Sequence, residues 1–341
     1  MSKSNITKKH YTSHDVAELA GVSQATVSRV FAGNTKVSEK KRNQIMEAAR
    51  KLNYRPNAHA RSLITRRSML IGIVMRTIRN PFYSAVLEIF HNRFSALGYH
   101  LIFINSENEH IEESEIHKLL EYNVAGVIIS DALLTQDAEE RFRENGIAVV
   151  IFNRYADNSA NSVVLCDNYL SAKQIATYLL KTGHRHFAYI SGPPHTSISQ
   201  DRLRGFREVL DENGVSKLHL EAGDYTYDSG FQLAQELMMN NKDIDCIFGG
   251  NDIIALGVMD AIRNLGFDVP HDVSVIGFDN IRMSNWTSYN LTTWEQPLEG
   301  MVDNTVAILL EEINGKIGKP KKLVMKGRLV IRNTVRNRNA G

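Results

Sequence analysis

DVAELAGVSQATVSRV, residues 15–30, decides the fold of the first part of the chain. Thr12 stands where it can cap a helix, and Asp15, three positions on, brings a carboxylate to the positive end of the helix dipole. Val16, Ala17, Leu19 and Ala20 supply an apolar face. Gly21 and Val22 break the run, and Ser23 caps a second helix from Gln24 to Phe31. Two short helices about a glycine turn form a helix-turn-helix, whose second helix lies in the DNA major groove. A third helix, starting at Ser38 and running through Ile45, Ala48, Ala49 and Leu52, closes a small core over the first two.

The second helix has two distinct faces. Val27, Val30 and Phe31 recur at helical spacing and point inward. Gln24, Ala25, Ser28 and Arg29 then share the outer stripe. Gln suits adenine and Arg suits guanine, each through paired hydrogen bonds, and Ala can touch a thymine methyl. Thr12, Ser23, Thr26 and the lysines near Lys40 are better placed for phosphates, which set register without reading sequence. For Arg29 the competing reading is a surface salt bridge.

Charge is distributed in the same sense. The 341 residues carry a net charge of only +2, yet residues 1–67 hold 14 Lys/Arg against 4 Asp/Glu, and the remainder holds 26 against 34. A basic head on an acidic body points to a polyanion partner for the head alone, although a solvated basic tail would show the same balance.

After the head comes a segment built for conditional folding. Pro56 sits at or just before a first helical turn, and residues 57–63 make fewer than two turns, too few to be stable without a partner. Residues 65–68 read as a flexible link. A plain linker is the alternative reading.

From residue 69 onward, short apolar runs alternate with amphipathic stretches. Candidate strands include 69–75, 100–104, 126–129, 148–152, 187–190, 245–248 and 273–277, with helices such as 82–97, 170–181 and 251–265 between them. The alternation implies an α/β body of parallel sheets covered by helices on both faces. Ligands of such folds bind beyond the carboxyl ends of the strands. The residues there are polar or aromatic: Asn80 and Phe82, Asn105 and Ser106, Asp131, Asn153 and Arg154, Asp224 and Tyr225, Asn251 and Asp252, and Asp279. Taken singly, each is as well explained as a turn or capping residue, Asn251 above all.

Residues 15–30 and the stretch LNYRPNAHARSL, residues 52–63, resemble the head and hinge of the LacI/GalR family of repressors. The resemblance continues through the body in NPFY (80–83), NR (153–154), CDN (166–168), TGHR (182–185), ISGP (190–193), RLRGF (202–206), GND (250–252) and VIGFD (275–279). It implies a helix-turn-helix head with hinge over residues 1–66, the hinge helix lying at about 56–64. It also implies a body over 69–341 similar to periplasmic sugar-binding proteins: two doubly wound parallel sheets in two lobes. The N-lobe would span about 69–168 and 299–325, and the C-lobe about 169–296 and 326–341, with crossovers near Asn168, Pro297 and Lys326. By position, Gln24, Ala25 and Arg29 match the family's base readers and Asn57 a hinge phosphate contact. Ala60 and Leu63 match minor-groove residues, Leu63 as the wedge between base steps. Arg202, Asn251, Asp279 and Tyr225 match effector contacts, and Phe82, Asn153 and Arg154 complete the expected pocket. Two positions depart from the pattern. His59 replaces a small apolar residue, and Asn153 stands where many members carry an acid.

The expected protein is a DNA-binding transcription regulator, acting as a homodimer on double-stranded operator DNA under control of a small molecule. A sugar or sugar phosphate is favoured as effector, with a nucleobase or nucleoside as the alternative. No catalytic motif, cofactor motif or convincing metal site accompanies it, His184 and His186 having no supporting ligands. Cys166 and Cys246 read as buried reduced thiols. Residues 1–10 lack the apolar core of a secretory signal, and no run is long enough to cross a membrane, so a cytoplasmic location is expected.

Overall fold

The Thr12 and Asp15 side chains bond reciprocally with each other's backbone amides and start helix α1, Ser13–Ala20. Gly21, at φ +65°, ends it in the left-handed conformation that a glycine accepts without strain. In α2, Gln24–Phe31, the Ser23 hydroxyl accepts from the Thr26 amide at 3.3 Å. Helix α3, Glu39–Lys51, follows Ser38, whose side chain makes no capping bond. Val16, Ala17, Val27, Val30, Ile45, Ala48 and Ala49 form the buried core, and Phe31 meets Tyr54 edge-on at 5.7 Å.

The computed structural model describes residues 11–31, 36–54, 68–76, 78–155, 160–315 and 318–339. The chain divides into two units, Met1–Met69 and Leu70–Gly341.

In the second unit the apolar runs form two sheets. The first contains β1 (Leu70–Met75), β2 (His100–Asn105), β3 (Gly126–Ser130), β4 (Ala148–Phe152), β5 (Ser162–Cys166) and β11 (Lys322–Met325), in the order β11-β5-β4-β3-β1-β2 and wholly parallel. The second contains β6 (Phe187–Ser191), β7 (Leu218–Ala222), β8 (Cys246–Gly249), β9 (Ser274–Asp279), β10 (Thr292–Glu295) and β12 (Arg328–Val330), in the order β12-β10-β9-β8-β6-β7. It departs from a fully parallel sheet at its edge, where β12 runs antiparallel to β10.

Helices α4 (Pro81–Ala96), α5 (Glu113–Glu121), α6 (Gln136–Glu144) and α11 (Leu298–Ile313) connect or cover the first sheet. Helices α7 (Asn168–Lys181), α8 (Ser197–Glu212), α9 (Tyr227–Asn240) and α10 (Asp252–Asn264) serve the second. The chain passes between sheets three times: from β5 into α7, from β10 into α11, and from β11 to β12. We call the two halves the N-lobe and the C-lobe. Cys166 and Cys246 are buried and unpaired. Among the described residues no helix is long and apolar enough to cross a membrane.

Close helix packing carries the C-lobe. A Cβ at Gly205 of α8 would strike the Tyr169 carbonyl oxygen of α7. Gly205→Ala is therefore expected to cost about 1–3 kcal/mol of stability, despite the roughly 1 kcal/mol by which alanine favours a helix interior. A urea midpoint falling at unchanged slope is the expected observation.

Candidate functional site

Two surfaces are built by these elements. On α2, Val27 and Val30 are buried while Gln24, Ala25 and Arg29 are exposed and Ser28 is half-buried. The Gln24 amide nitrogen donates to Ser13 Oγ at 2.9 Å, tying the start of α2 to α1. Thr12 and Ser23 are exposed and Thr26 is half-buried; the Ser23 and Thr26 hydroxyls lie 2.8 Å apart. Asn57, Ala60 and Leu63 lie outside the described residues.

The second surface is the set of strand ends. Phe82, Asn153, Arg154, Arg202, Asn251 and Asp279 are all at least nine-tenths buried, and Tyr225 is half-buried. On the C-lobe, Arg202 of α8 is the hub. Its Nε donates to Asn168 Oδ1 at 2.9 Å, its Nη1 donates to the Gly250 carbonyl, and its Nη2 lies 3.8 Å from Asp279 Oδ1. The guanidinium rests on the Phe278 ring, 3.4 Å from its centroid. Asp279 also accepts from Gln296 Nε2 at 2.7 Å. Asn251 does cap α10, accepting from the Ile254 amide at 2.9 Å, but its Nδ2 is left without a partner. Asp252 binds the Ile281 amide and Thr293 Oγ1, so it fastens the turn after β9. The Tyr225 hydroxyl meets Ser199 Oγ at 2.7 Å, and its ring lies directly against Gly192, where any Cβ would collide with it.

On the N-lobe, Asn153 Nδ2 donates to the Tyr83 hydroxyl at 3.3 Å, and Arg154 is paired with Glu109. Tyr83 is buried at this contact. Burial and the neighbouring Asp131 push its hydroxyl pKa up, and Asp279 and Tyr225 across the cleft act in the same direction.

Several of these residues hold unusual backbone. Asp131, Asn153, Tyr225 and Asp279 have φ of 55°, 70°, 65° and 123°. Such conformations cost on the order of 1–3 kcal/mol each in non-glycine residues and concentrate where a site demands them.

The charges are matched and held tightly. Burial raises the Asp279 pKa to about 7, against the pull of Arg202. Burial likewise raises Asp131 to about 6, against Arg76 and Arg154. Among the described residues, no group of three His, Cys, Asp or Glu is placed to hold a metal ion. His184 is fully buried, with Nε2 at 2.8 Å from Ser274 Oγ and Nδ1 at 3.1 Å from the Leu179 carbonyl, a structural role.

A raised carboxylate pKa has a definite sign in stability. The folded chain keeps the Asp279 proton to about pH 7, while the unfolded chain loses it near 4. This group's contribution thus falls as pH rises from about 4 to 7 and is level above. His184, whose pKa burial lowers, acts in the opposite sense, so the test is a difference. Asp279→Asn is expected to lose this downward slope relative to the wild type in urea midpoints taken from pH 4 to 8.

Sequence reading did not single out Gln296 or Glu109, and met Tyr83 only as the last residue of the NPFY motif. Gln296 directly follows β10, so the strand-end rule finds it once that strand is recognised.

Comparison with known proteins agrees with this architecture. Residues 12–57 match the model for bacterial regulatory proteins of the lacI family, and residues 176–335 match a periplasmic binding protein-like domain. The HTH-type transcriptional repressor PurR of Vibrio parahaemolyticus is 33% identical over 333 residues, covering 96% of this chain and 99% of that one. The lac repressor dimer bound to operator and the anti-inducer ONPF superposes with a TM-score of 0.86 at 28% identity, over 96% of this chain and 100% of that one. A complex of the transcriptional regulator CelR with cellobiose superposes at 0.71, also at 28% identity, over 95% and 100%. With an exposed helix-turn-helix face on one unit, two six-stranded sheets in the other and relatives that match along both, this chain belongs to the lacI family of bacterial transcription regulators.

Proposed function

We propose that the chain is a repressor which binds a near-palindromic operator as a homodimer and is controlled by a sugar-like effector held between the lobes. Gln24, Ala25, Ser28 and Arg29 read bases; Thr12, Ser23, Thr26 and Asn57 hold the backbone; Ala60 and Leu63 enter the minor groove. Phe82, Asn153, Arg154, Arg202, Tyr225, Asn251 and Asp279 hold the effector. Lobe closure changes the spacing of the paired hinges and so their ability to fold on DNA.

One observation carries the effector reading. The buried atoms without partners at the strand ends are of both kinds. Arg154 Nε and Nη1 and Asn251 Nδ2 are donors, while Asn153 Oδ1 and Gln296 Oε1 are acceptors. Leaving such groups unsatisfied costs roughly 1–3 kcal/mol each. A hydroxyl both donates and accepts, so a polyol satisfies a mixed set, whereas an anion satisfies only the donors. Arg154 is paired with Glu109 and Arg202 faces Asp279, so both cations already meet carboxylates, which favours a neutral ligand. The solved complex of CelR with cellobiose supports the same class.

The dimer reading draws on α4, whose flank joins half-buried Leu87 and Leu101 to the exposed Ile78 and Phe103 in one apolar groove. The related lac repressor is a dimer on its operator.

A thermal-shift screen of mono- and disaccharides, sugar phosphates and nucleosides tests the effector class. A neutral sugar at 100 times its Kd should add about 2.7 kcal/mol of stability, and Asp279→Asn should remove the shift. A response confined to nucleosides or to phosphorylated compounds would overturn the reading.

A further inference from the structure

Glu109 lies between β2 and α5 on the N-lobe, and each of its carboxylate oxygens has its own cation. Oε1 holds Arg154 at the end of β4, on the same lobe. Oε2 meets His195 Nε2 at 3.0 Å, and His195 belongs to the loop between β6 and α8 of the other lobe. Arg154 is buried and turns its Nε and Nη1 toward no protein partner, while His195 is more than half exposed. One carboxylate thus links a cleft-lining arginine to a cross-lobe contact.

We propose that Glu109 is the positioning residue of a pH-responsive interlobe latch: it aims Arg154 into the cleft and, through His195, favours the closed arrangement when that imidazole is protonated. This regulation rests on the reading of the cleft as the effector site.

The chemistry fixes the direction. An imidazole ordinarily gains its charge between pH 8 and 5. Burial pushes the Glu109 pKa up, but Arg154 and His195 outweigh it, so the group is held below the usual carboxylate range and is ionised across that interval. A protonated imidazole at 3.0 Å makes the Glu109–His195 contact an ion pair, whereas a neutral one leaves at most a hydrogen bond. Closure gains at low pH and loses as pH rises.

Other charged groups surround the latch. His110 and Arg154 act on Glu109, and Asp131 feels Glu109 together with Arg76. On the far side, Asp201 of α8 accepts from the Tyr155 hydroxyl at 3.1 Å, with Lys322 over the Tyr155 ring at 4.1 Å. The Tyr155 amide donates to Ser197 Oγ at 3.4 Å. The contacts from Tyr155 to Asp201 and Ser197 cross the lobes without an imidazole, so they hold part of the closed population at any pH in the interval. Asp131 and Asp279 lie nearby with pKa values raised to about 6 and 7, so the proposal predicts differences between variants.

The test uses the full chain without ligand. Cysteines introduced at Tyr122 and Met239, exposed on the N-lobe and C-lobe respectively, carry spin labels, while the native Cys166 and Cys246 are buried. Pulsed dipolar spectroscopy then gives the interlobe distance populations at pH 5.5 and 8. The ratio of closed to open molecules should fall about two- to fivefold between these values, the scale of an exposed ion pair. In His195→Gln and Glu109→Gln at least half of that change should be lost, and in His110→Gln it should persist. A pH-independent ratio in the wild type, or a full pH response in His195→Gln, would overturn the latch. Because no effector is added, that failure is distinct from a failure of the effector reading, which the sugar screen decides.

Discussion

Arg202→Ala is expected to abolish effector binding and to destabilise the body by about 3–5 kcal/mol, the range for breaking one side of a buried ion pair. The side chain is 2% exposed, and it supports Asn168, the Gly250 carbonyl, Asp279 and the Phe278 ring together. Alanine leaves the Asp279 carboxylate buried with no facing cation, so its pKa climbs beyond its already raised value. The loss should be larger at pH 8 than at pH 5, where Asp279 is protonated in both proteins. Arg202→Lys should recover part of the stability but little of the binding, because an ammonium lacks the planar fork that reaches three acceptors at once. Urea melts at the two pH values and sugar-induced thermal shifts read both effects. An alanine variant with ligand shifts like those of the wild type would remove Arg202 from the site.

Arg29→Ala is expected to lower specific operator affinity by about 1–3 kcal/mol and to relax preference at one base position, leaving non-specific binding nearly unchanged. Arg29 is exposed on α2, one position from the buried Val30, so the substitution leaves the head core intact. Thr12→Ala provides the contrast. It removes the cap of α1, worth about 1 kcal/mol, and should weaken all sequences alike. Competition binding against a library randomised in each half-site separates the two. An unchanged base preference in Arg29→Ala would exclude it as a reader.

How far the sequence could be read followed the range of the interactions. The faces of α2 were legible because burial of Val27 and Val30 repeats at the helical period, a signal contained in eight residues. The Thr12–Asp15 cap was legible for the same reason. Most strand ends were legible from alternation alone, and these brought Asn153, Arg154 and Asp279 to attention. Strand β10 was not. Its Thr292 and Thr293 look like surface residues, yet both are fully buried, with hydroxyls satisfied by partners far along the chain. With β10 unread, Gln296 behind it was unread too. The antiparallel edge strand β12 has only three residues and no apolar period. Glu109 was invisible for a different reason: its partners lie 45 and 86 positions away, and nothing local marks an acid that will meet both. Local periodicity reveals elements, whereas pairing across lobes emerges only when the elements are assembled.

The central claim is that DNA binding by the head is controlled by a neutral sugar bound in the body. Fluorescence anisotropy of the full chain on labelled fragments of the intergenic DNA upstream of its own gene tests it directly, with and without the sugar that scores in the thermal-shift screen. The expected result is saturable binding to one near-palindromic fragment, steeply weakened by salt, with a midpoint moved at least fivefold by the sugar. Binding that is equal on all fragments, or a specific midpoint that no stabilising sugar moves, would contradict it.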